Sequence, residues 1–322
     1  MYKIIMVPTE GSDSEKAAIS VAVKLAQRFN AELHLVRVET APLVIESVPR
    51  PPVLEITAET LHAERLARLR KLEAMGVQCR ALADIRVIIA LEDGPVAPTL
   101  RDYAQKLNVD LIVMSSHSRG GFRRVTLGSV TDYLIRHTNT PVLVVKPPAS
   151  FVGAALEESG RRIVVPLDGS QLAEQILPEV ASLALRLDAS VTLLRVLTPI
   201  NYSQQKIMQP GLPWWDADIA AADSYLDQAM SLLTEEGVAV GKEVLLADDT
   251  ATGILEYASR VSGDLIAIAT SGSGGMSRFV FGTVADEITR KSPISLLVFH
   301  PRAVTARENA PRQPSSHSLA GT

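Results

Sequence analysis

An internal duplication constrains this chain more than any other feature of its sequence. The segment KIIMVPTEGS at Lys3–Ser12 returns as RIVVPLDGS at Arg162–Ser170, and the segment Asn108–Val130 returns at Ser262–Val284. The matched segments keep their order and lie about 154 to 158 residues apart. A period of that length is the size of a whole domain rather than of a short solenoid repeat. The sequence therefore predicts two copies of one domain.

Each copy alternates continuous apolar runs with stretches of helical periodicity. Val, Ile and Leu runs without polar alternation are typical of strands that are covered on both faces, which are parallel and joined by helices. We therefore predict an α/β fold of two tandem open-sheet domains, each with five mainly parallel strands and helices on both faces. The second helix of each copy is expected at Ala58–Met75 and near 217–236. The strands of the first copy are expected near 3–8, 32–38, 86–91, 110–115 and 141–146.

Proline-rich and polar stretches indicate the domain boundaries. We expect a first domain at 1–147, a linker at 148–160, a second domain at 161–301 and a disordered tail at 302–322. The two domains are expected to pack as a pseudo-dimer through their final strands, PVLVV and ISLLVF. A homodimer of whole chains is a further alternative. Trp214-Trp215 is an exposed-loop candidate for contact with a protein partner that the sequence does not identify.

Composition argues against several classes of function. The formal net charge of −4 offers no basic field for nucleic acid or an anionic membrane surface. The chain has no apolar run of about 18 residues and no signal-peptide pattern, so we expect a cytoplasmic protein without a membrane segment. Its one cysteine, Cys79, is expected to be a buried small hydrophobe. Scattered histidines argue against a metal site, and no set of nucleophile, base and orienting group predicts an enzyme.

The loop after the first strand is one candidate ligand site in each copy. In an open parallel sheet, ligands bind beyond the carboxyl ends of the strands, near the point where the strand order reverses. This loop carries an acidic residue, Glu10 or Asp168, followed by a glycine that allows a tight turn. The next residue, Ser12 or Ser170, can cap the helix that follows.

The loop after the fourth strand is the second candidate, and the more informative one. In the second copy it contains Gly272 and then, after nine residues, Gly282 and Thr283. Glycine leaves backbone amides open to phosphate oxygens, and a helix that starts here adds its dipole and a hydroxyl donor. The first copy keeps the equivalent pair, Gly128 and Ser129.

These loops resemble the signature of universal stress proteins: glycine, two residues, glycine, nine residues, glycine, then serine or threonine. The VPLDGS turn and the final PVLVV strand are also similar to that family, and the similarity covers both copies. The resemblance implies a stress-response or signalling module that binds ATP, with Mg²⁺ as the ordinary companion of its phosphates, and that is not a catalyst. It implies contacts to the nucleotide from Asp168, Val196, Gly272, Gly282 and Thr283 in the second copy, and from Glu10, Val38, Gly128 and Ser129 in the first.

The two copies depart from the family pattern to different degrees. The first copy has Ser115 and Ser118 at the two early glycine positions and Glu10 where aspartate is usual, whereas the second copy departs there only at Ala269. A serine at positive φ costs roughly 1–2 kcal/mol more than glycine. We therefore predict that ATP binds mainly in the second copy. The alternatives are a nucleotide-free interaction module of the same fold and a slow ATPase that uses His117 as its base.

Overall fold

The computed structural model describes residues 2–12, 15–40, 58–116, 127–146, 160–198, 214–270 and 281–301, with the backbone alone at 58–61 and 214–215. Its strands are β1 Ile4–Pro8, β2 Glu32–Glu39, β3 Val87–Asp93, β4 Leu111–Ser115, β5 Val142–Val145, β6 Arg161–Pro166, β7 Ala189–Leu197, β8 Val240–Leu246, β9 Leu265–Ala269 and β10 Ser295–Phe299. Its helices are α1 Lys16–Phe29, α2 Ala58–Leu82, α3 Val96–Lys106, α4 Ser129–His137, α5 Gln171–Glu174, α6 Leu177–Leu187, α7 Trp214–Glu235, α8 Thr250–Arg260 and α9 Thr283–Lys291.

These strands form one continuous sheet in the order β3-β2-β1-β4-β5-β10-β9-β6-β7-β8. Within each copy the strands are parallel, whereas β5 and β10 pair antiparallel, with Leu143 opposite Leu297. The predicted α/β fold and the predicted contact between the final strands are both confirmed. Because the copies run in opposite directions, the carboxyl ends of their strands lie at opposite edges of the sheet.

Helices cover both faces of the sheet, and successive strand residues alternate between the two cores as the pleat requires. Ile5 and Val7 belong to the core that contains buried residues of α1, α2, α6 and α7. Met6, between them, belongs to the core that contains buried residues of α3, α4, α8 and α9. Each core includes strand residues from both copies, so the apolar interior continues across the junction.

The second helix, α2, ends at Leu82 rather than at the predicted Met75. Gly76 is typical of a helix end, but here the helix packs closely against β3: a Cβ built on Gly76 would lie 2.8 Å from Cδ1 of Ile89. The following turn buries Cys79, as predicted, and burial raises the pKa of its thiol. Packing against the sheet therefore extends the helix past a residue of low helix propensity.

The bounds predicted for the strands of the first copy and for the helix near 217–236 agree with the structure to within a few residues. One further prediction needs correction. Trp214 and Trp215 form the start of α7, so their assignment to an exposed loop was wrong. Nearly all of the predicted linker and the whole tail from 302 lie outside the described residues. None of the helices described has the length and apolar character needed to span a bilayer.

Candidate nucleotide-binding site

The strand order places the carboxyl ends of two strands side by side in each copy. In the second copy β6 lies between β7 and β9, and the chain leaves β6 toward β7, so the strand order reverses between β6 and β9. The carboxyl ends of β6 and β9 therefore border the crevice in which open sheets bind ligands. The first copy repeats this arrangement between β1 and β4, at the opposite edge of the sheet.

The start of α9 lies close to the end of β9. The amide of Gly282, the N-cap of α9, donates a hydrogen bond of 2.7 Å to the carbonyl oxygen of Thr270. A Cβ built on Gly282 would lie only 3.3 Å from that oxygen. Thr283 begins α9 as predicted and is exposed. The first amides of a helix have no acceptor inside it, and glycine has no side chain to cap them. We call Thr270, Gly282 and Thr283 the α9 cradle.

A buried polar pair lies beneath the α9 cradle. The hydroxyl of Thr270 is 2.7 Å from Nδ1 of His300, and both residues are buried. The amide of Thr270 also donates to the carbonyl of Phe299 at 2.8 Å. These bonds fix the backbone that accepts from Gly282. Sequence reasoning missed both residues, although each is the first polar residue after a continuous apolar strand.

The equivalent α4 cradle of the first copy, formed by Ser116, Gly128 and Ser129, is looser. The amide of Gly128 donates to the carbonyl of Ser116 at 3.2 Å, and a Cβ built on Gly128 would lie 3.9 Å from that oxygen. Lys146 stands where the second copy has His300, and burial lowers the pKa of its ammonium group. Glycine at 128 is therefore less strictly required than glycine at 282.

Asp168 braces the first-strand loop of the second copy. Its Oδ1 accepts hydrogen bonds from the amide and the hydroxyl of Ser170, at 3.0 and 2.6 Å. Ser170 in turn accepts from the amide of Ala173 at 3.2 Å, which confirms its predicted role as the cap of the next helix. The structure thus gives Asp168 a structural role in its own turn, and its contact with a nucleotide stays a prediction.

An arginine supports the first-strand loop from the neighbouring strand in both copies. Nη1 of Arg195 donates to the carbonyl of Leu167 at 3.1 Å, and Nη1 of Arg37 donates to the carbonyl of Glu10 at 2.5 Å. In the second copy, burial and the nearby carboxylate of Glu174 raise the pKa of Tyr225 of α7. Sequence reasoning missed the two arginine contacts, because each joins residues far apart in the chain.

Glu15 gives the first copy a different first-strand loop. Its buried carboxylate accepts hydrogen bonds from the hydroxyl of Thr9 at 2.5 Å and from the amides of Glu10 and Gly11 at 2.9 and 3.1 Å. Glu15 is also the N-cap of α1, so the prediction that Ser12 caps this helix was wrong. The second copy has alanine at the equivalent position. The carboxylate therefore provides the acceptor for two amides of the loop that precedes α1.

We expect Glu15→Ala to lower the free energy of unfolding by about 2–4 kcal/mol, because the hydroxyl of Thr9 and the amide of Glu10 would lose the carboxylate as acceptor and the amide of Gly11 would keep only its bond to Thr9. Urea unfolding followed by circular dichroism measures this change. Glu256→Ala, on an exposed position of α8, is the matched control and should change the value by less than about 0.5 kcal/mol. Equal effects of the two substitutions would contradict the assigned role of Glu15.

The remaining predicted positions lie on strands or outside the described residues. Val196 and Val38 lie near the carboxyl ends of β7 and β2 and are partly buried. The structure therefore brings Asp168, Val196, Gly282 and Thr283 to one edge of the sheet, whereas Glu10, Val38, Gly128 and Ser129 lie at the opposite edge. Gly272, Ser118 and His117 lie outside the described residues.

A model of the universal stress protein family matches residues 1–146 and 160–300. The chain belongs to this family. This universal stress protein is 32% identical to universal stress protein MJ0531 of Methanocaldococcus jannaschii over 149 residues, which are 46% of this chain and 84% of that protein. It is 25% identical to universal stress protein Mb2346c of Mycobacterium bovis over 290 residues, which are 88% of this chain and 94% of that protein.

A solved structure supports the same fold across the length of the protein. The crystal structure of a universal stress protein from Archaeoglobus fulgidus matches with a TM-score of 0.65 at 15% identity. The match covers 92% of this universal stress protein and 98% of that chain. At this level of identity the likeness concerns the fold alone. Among the residues described, no three or more His, Cys, Asp or Glu side chains gather as metal ligands.

Proposed function

We propose that this universal stress protein binds ATP mainly in its second copy and acts as a nucleotide-responsive stress or signalling module rather than as a catalyst. The observation that carries the proposal is the close approach of Gly282 to the carbonyl of Thr270. A side chain at 282 would press on that oxygen, with its Cβ at 3.3 Å. The position therefore suits glycine, and the amides of the first turn of α9 suit the oxygens of a phosphate group.

The other candidate residues complete this binding mode. Gly282 and Thr283 would hold the phosphates, and Gly272 belongs to the same proposed loop. Asp168 would contact the ribose, and the backbone at Val196 the adenine. Because the described residues offer no metal cluster of their own, Mg²⁺ would arrive with the phosphates of ATP. Binding would favour the conformation that suits ATP better, and a protein partner would recognise the changed surface.

The first copy fits the role of a nucleotide-free interaction half better than that of a second ATP site. Its first-strand loop amides are bonded to Glu15, whose carboxylate adds a negative charge where the second copy has an alanine. Its α4 cradle is also looser. Glu10, Val38, Gly128 and Ser129 would therefore hold a nucleotide weakly. This asymmetry supports the prediction that ATP binds mainly in the second copy.

Calorimetric titration of the intact chain with ATP tests the proposal. We expect Thr283→Val to weaken binding about tenfold, because the hydroxyl that donates to phosphate is lost while the shape of the side chain is kept. The equivalent change in the first copy, Ser129→Val, should alter the affinity less than about twofold. Binding that depends on Ser129 and not on Thr283 would assign ATP to the first copy.

Two further outcomes of the same experiment decide between the alternatives. No heat of binding by the wild-type chain, at ATP concentrations up to the millimolar range that cells contain, would favour the nucleotide-free interaction module. Multiple turnovers of phosphate release that are lost in His117→Ala would establish the slow ATPase. The proposal predicts binding without turnover.

A further inference from the structure

A charged network joins the two copies where α4 approaches α9. Arg136 of α4 donates from Nε to Asp132 at 3.0 Å and from Nη2 to Asp286 of α9. Arg290, one turn further along α9, donates from Nε to Asp286 at 2.8 Å. Arg290, the largest cause, and Arg136 lower the pKa of the Asp286 carboxyl group, although burial acts in the opposite direction. Asp286 is therefore held as an anion between an arginine of each copy.

Arg136 also reaches the residue that precedes the α9 cradle. Its guanidinium carbon lies 4.5 Å from the centre of the Phe281 ring, within the range of a cation–π contact. Phe281 is joined directly to Gly282, whose amide bonds to Thr270. One side chain of the first copy thus contacts both the residue before the cradle glycine and an acidic residue in the first turn of α9.

Within the part of the chain that the structure describes, the α4 cradle of the first copy lacks the matching contact with an arginine of the second copy. The first copy has Leu127 at the position of Phe281, so the residue before Gly128 offers no ring to an arginine of the second copy. The side chain of Arg136 is 29% exposed, whereas that of Arg290 is 59% exposed. An arginine of the first copy therefore supports the α9 cradle of the second, whereas no equivalent ring contact supports the α4 cradle among the described residues.

We propose that Arg136 is a positioning residue for the α9 cradle, so that the nucleotide site of the second copy is completed by a side chain of the first. This inference rests on the proposed binding of ATP. By holding Phe281 and Asp286 together, Arg136 fixes the direction in which the chain enters α9 and hence the amides that meet the phosphates. Cradles of this kind lose binding when their supports loosen, since the amides must point to one place.

The predicted effect concerns the phosphates and leaves the base contact intact. Arg136→Ala should weaken ATP binding about tenfold and leave adenosine binding within about twofold, a coupling of ordinary size between sites. Arg290→Ala is the matched control, because it also removes one of the two guanidinium groups from Asp286 but no contact with Phe281. It should leave the binding of both ligands within about twofold. Calorimetry of the full-length chain with ATP and with adenosine measures all of these values.

A second variant separates positioning from a loss of folding. Phe281→Leu gives the second copy the residue of the first, and it should weaken ATP binding as Arg136→Ala does. The variant that carries both substitutions should bind ATP no more weakly than either single variant, because each substitution removes the same contact between Arg136 and Phe281. Thermal unfolding of each variant shows that the compared chains are folded.

Several outcomes would overturn the inference. It fails if wild-type protein binds ATP and Arg136→Ala binds it equally well, and it fails if Arg136→Ala and Arg290→Ala weaken ATP binding equally, since charge at Asp286 would then be the cause. A parallel loss of ATP and adenosine binding would also overturn it, because that result indicates general disruption. If the wild-type chain binds no ATP, the proposed function itself falls, and the inference falls with it.

Discussion

Leu297→Ala is expected to lower the free energy of unfolding by about 2–5 kcal/mol, one of the largest losses that a single side chain of this protein can produce. Leu297 is 0% exposed and lies at the centre of β10, opposite Leu143 of β5 and beside Ala267 of β9. Truncation would leave a cavity at the junction of the two copies, where neighbouring strands limit the collapse that could fill it. Urea unfolding measures the loss.

The same experiment tests whether the two copies unfold together. Tryptophan fluorescence reports on the second copy alone, because both tryptophans, Trp214 and Trp215, belong to it. Circular dichroism reports on both copies. Because the two cores continue across the β5–β10 junction, the two signals should follow one transition. Leu246→Ala, at a residue of edge strand β8 that is 48% exposed, should cost less than about 1 kcal/mol. Two separate transitions in the wild-type chain would contradict a shared core.

Periodicity and duplication were enough to predict the architecture. Continuous apolar runs give the strands, because parallel strands covered on both faces leave no polar alternation. The repeat then gives the second copy once the first is assigned. The predicted end of α2 was wrong, because Gly76 is typical of a helix end, whereas in the structure it packs against Ile89 of β3 and the helix continues to Leu82. Tertiary packing overrides local propensity at such positions.

The candidate site could be predicted only in part. The start of α9 at Thr283 follows from the glycine that precedes it and from the order of the elements. The bond between Glu15 and its loop, and the contact of Arg136 with Phe281, could not be predicted, because each depends on where a side chain ends in space. The duplication even suggests the wrong answer at Glu15, since the second copy has alanine there.

Gly282→Asp is expected to weaken ATP binding by about 100-fold or more. The new Cβ would press on the carbonyl of Thr270, and the new carboxylate would stand beside the phosphates. Repulsion between charges about 4 Å apart amounts to about 1–4 kcal/mol per pair near a protein surface, and a loss of about 3 kcal/mol corresponds to about 100-fold in affinity. Calorimetric titration with ATP measures this loss.

Gly128→Asp is the matched control in the first copy. It introduces the same charge at the N-cap of α4, where a Cβ would lie 3.9 Å from the carbonyl of Ser116 and has room. We expect the affinity for ATP to change less than about threefold, since ATP is assigned to the other edge of the sheet. Thermal unfolding of both variants verifies that each is folded at the temperature of the titration.

Amide hydrogen exchange of the wild-type chain, with and without saturating ATP, shows most directly whether the amides at the start of α9 hold polyphosphate. We predict that ATP slows exchange in peptides covering residues 281–290, leaves peptides covering 127–137 unchanged, and loses this effect in Gly282→Asp. Slowing confined to 127–137, or binding of ATP without any slowing at the start of α9, would contradict the assignment.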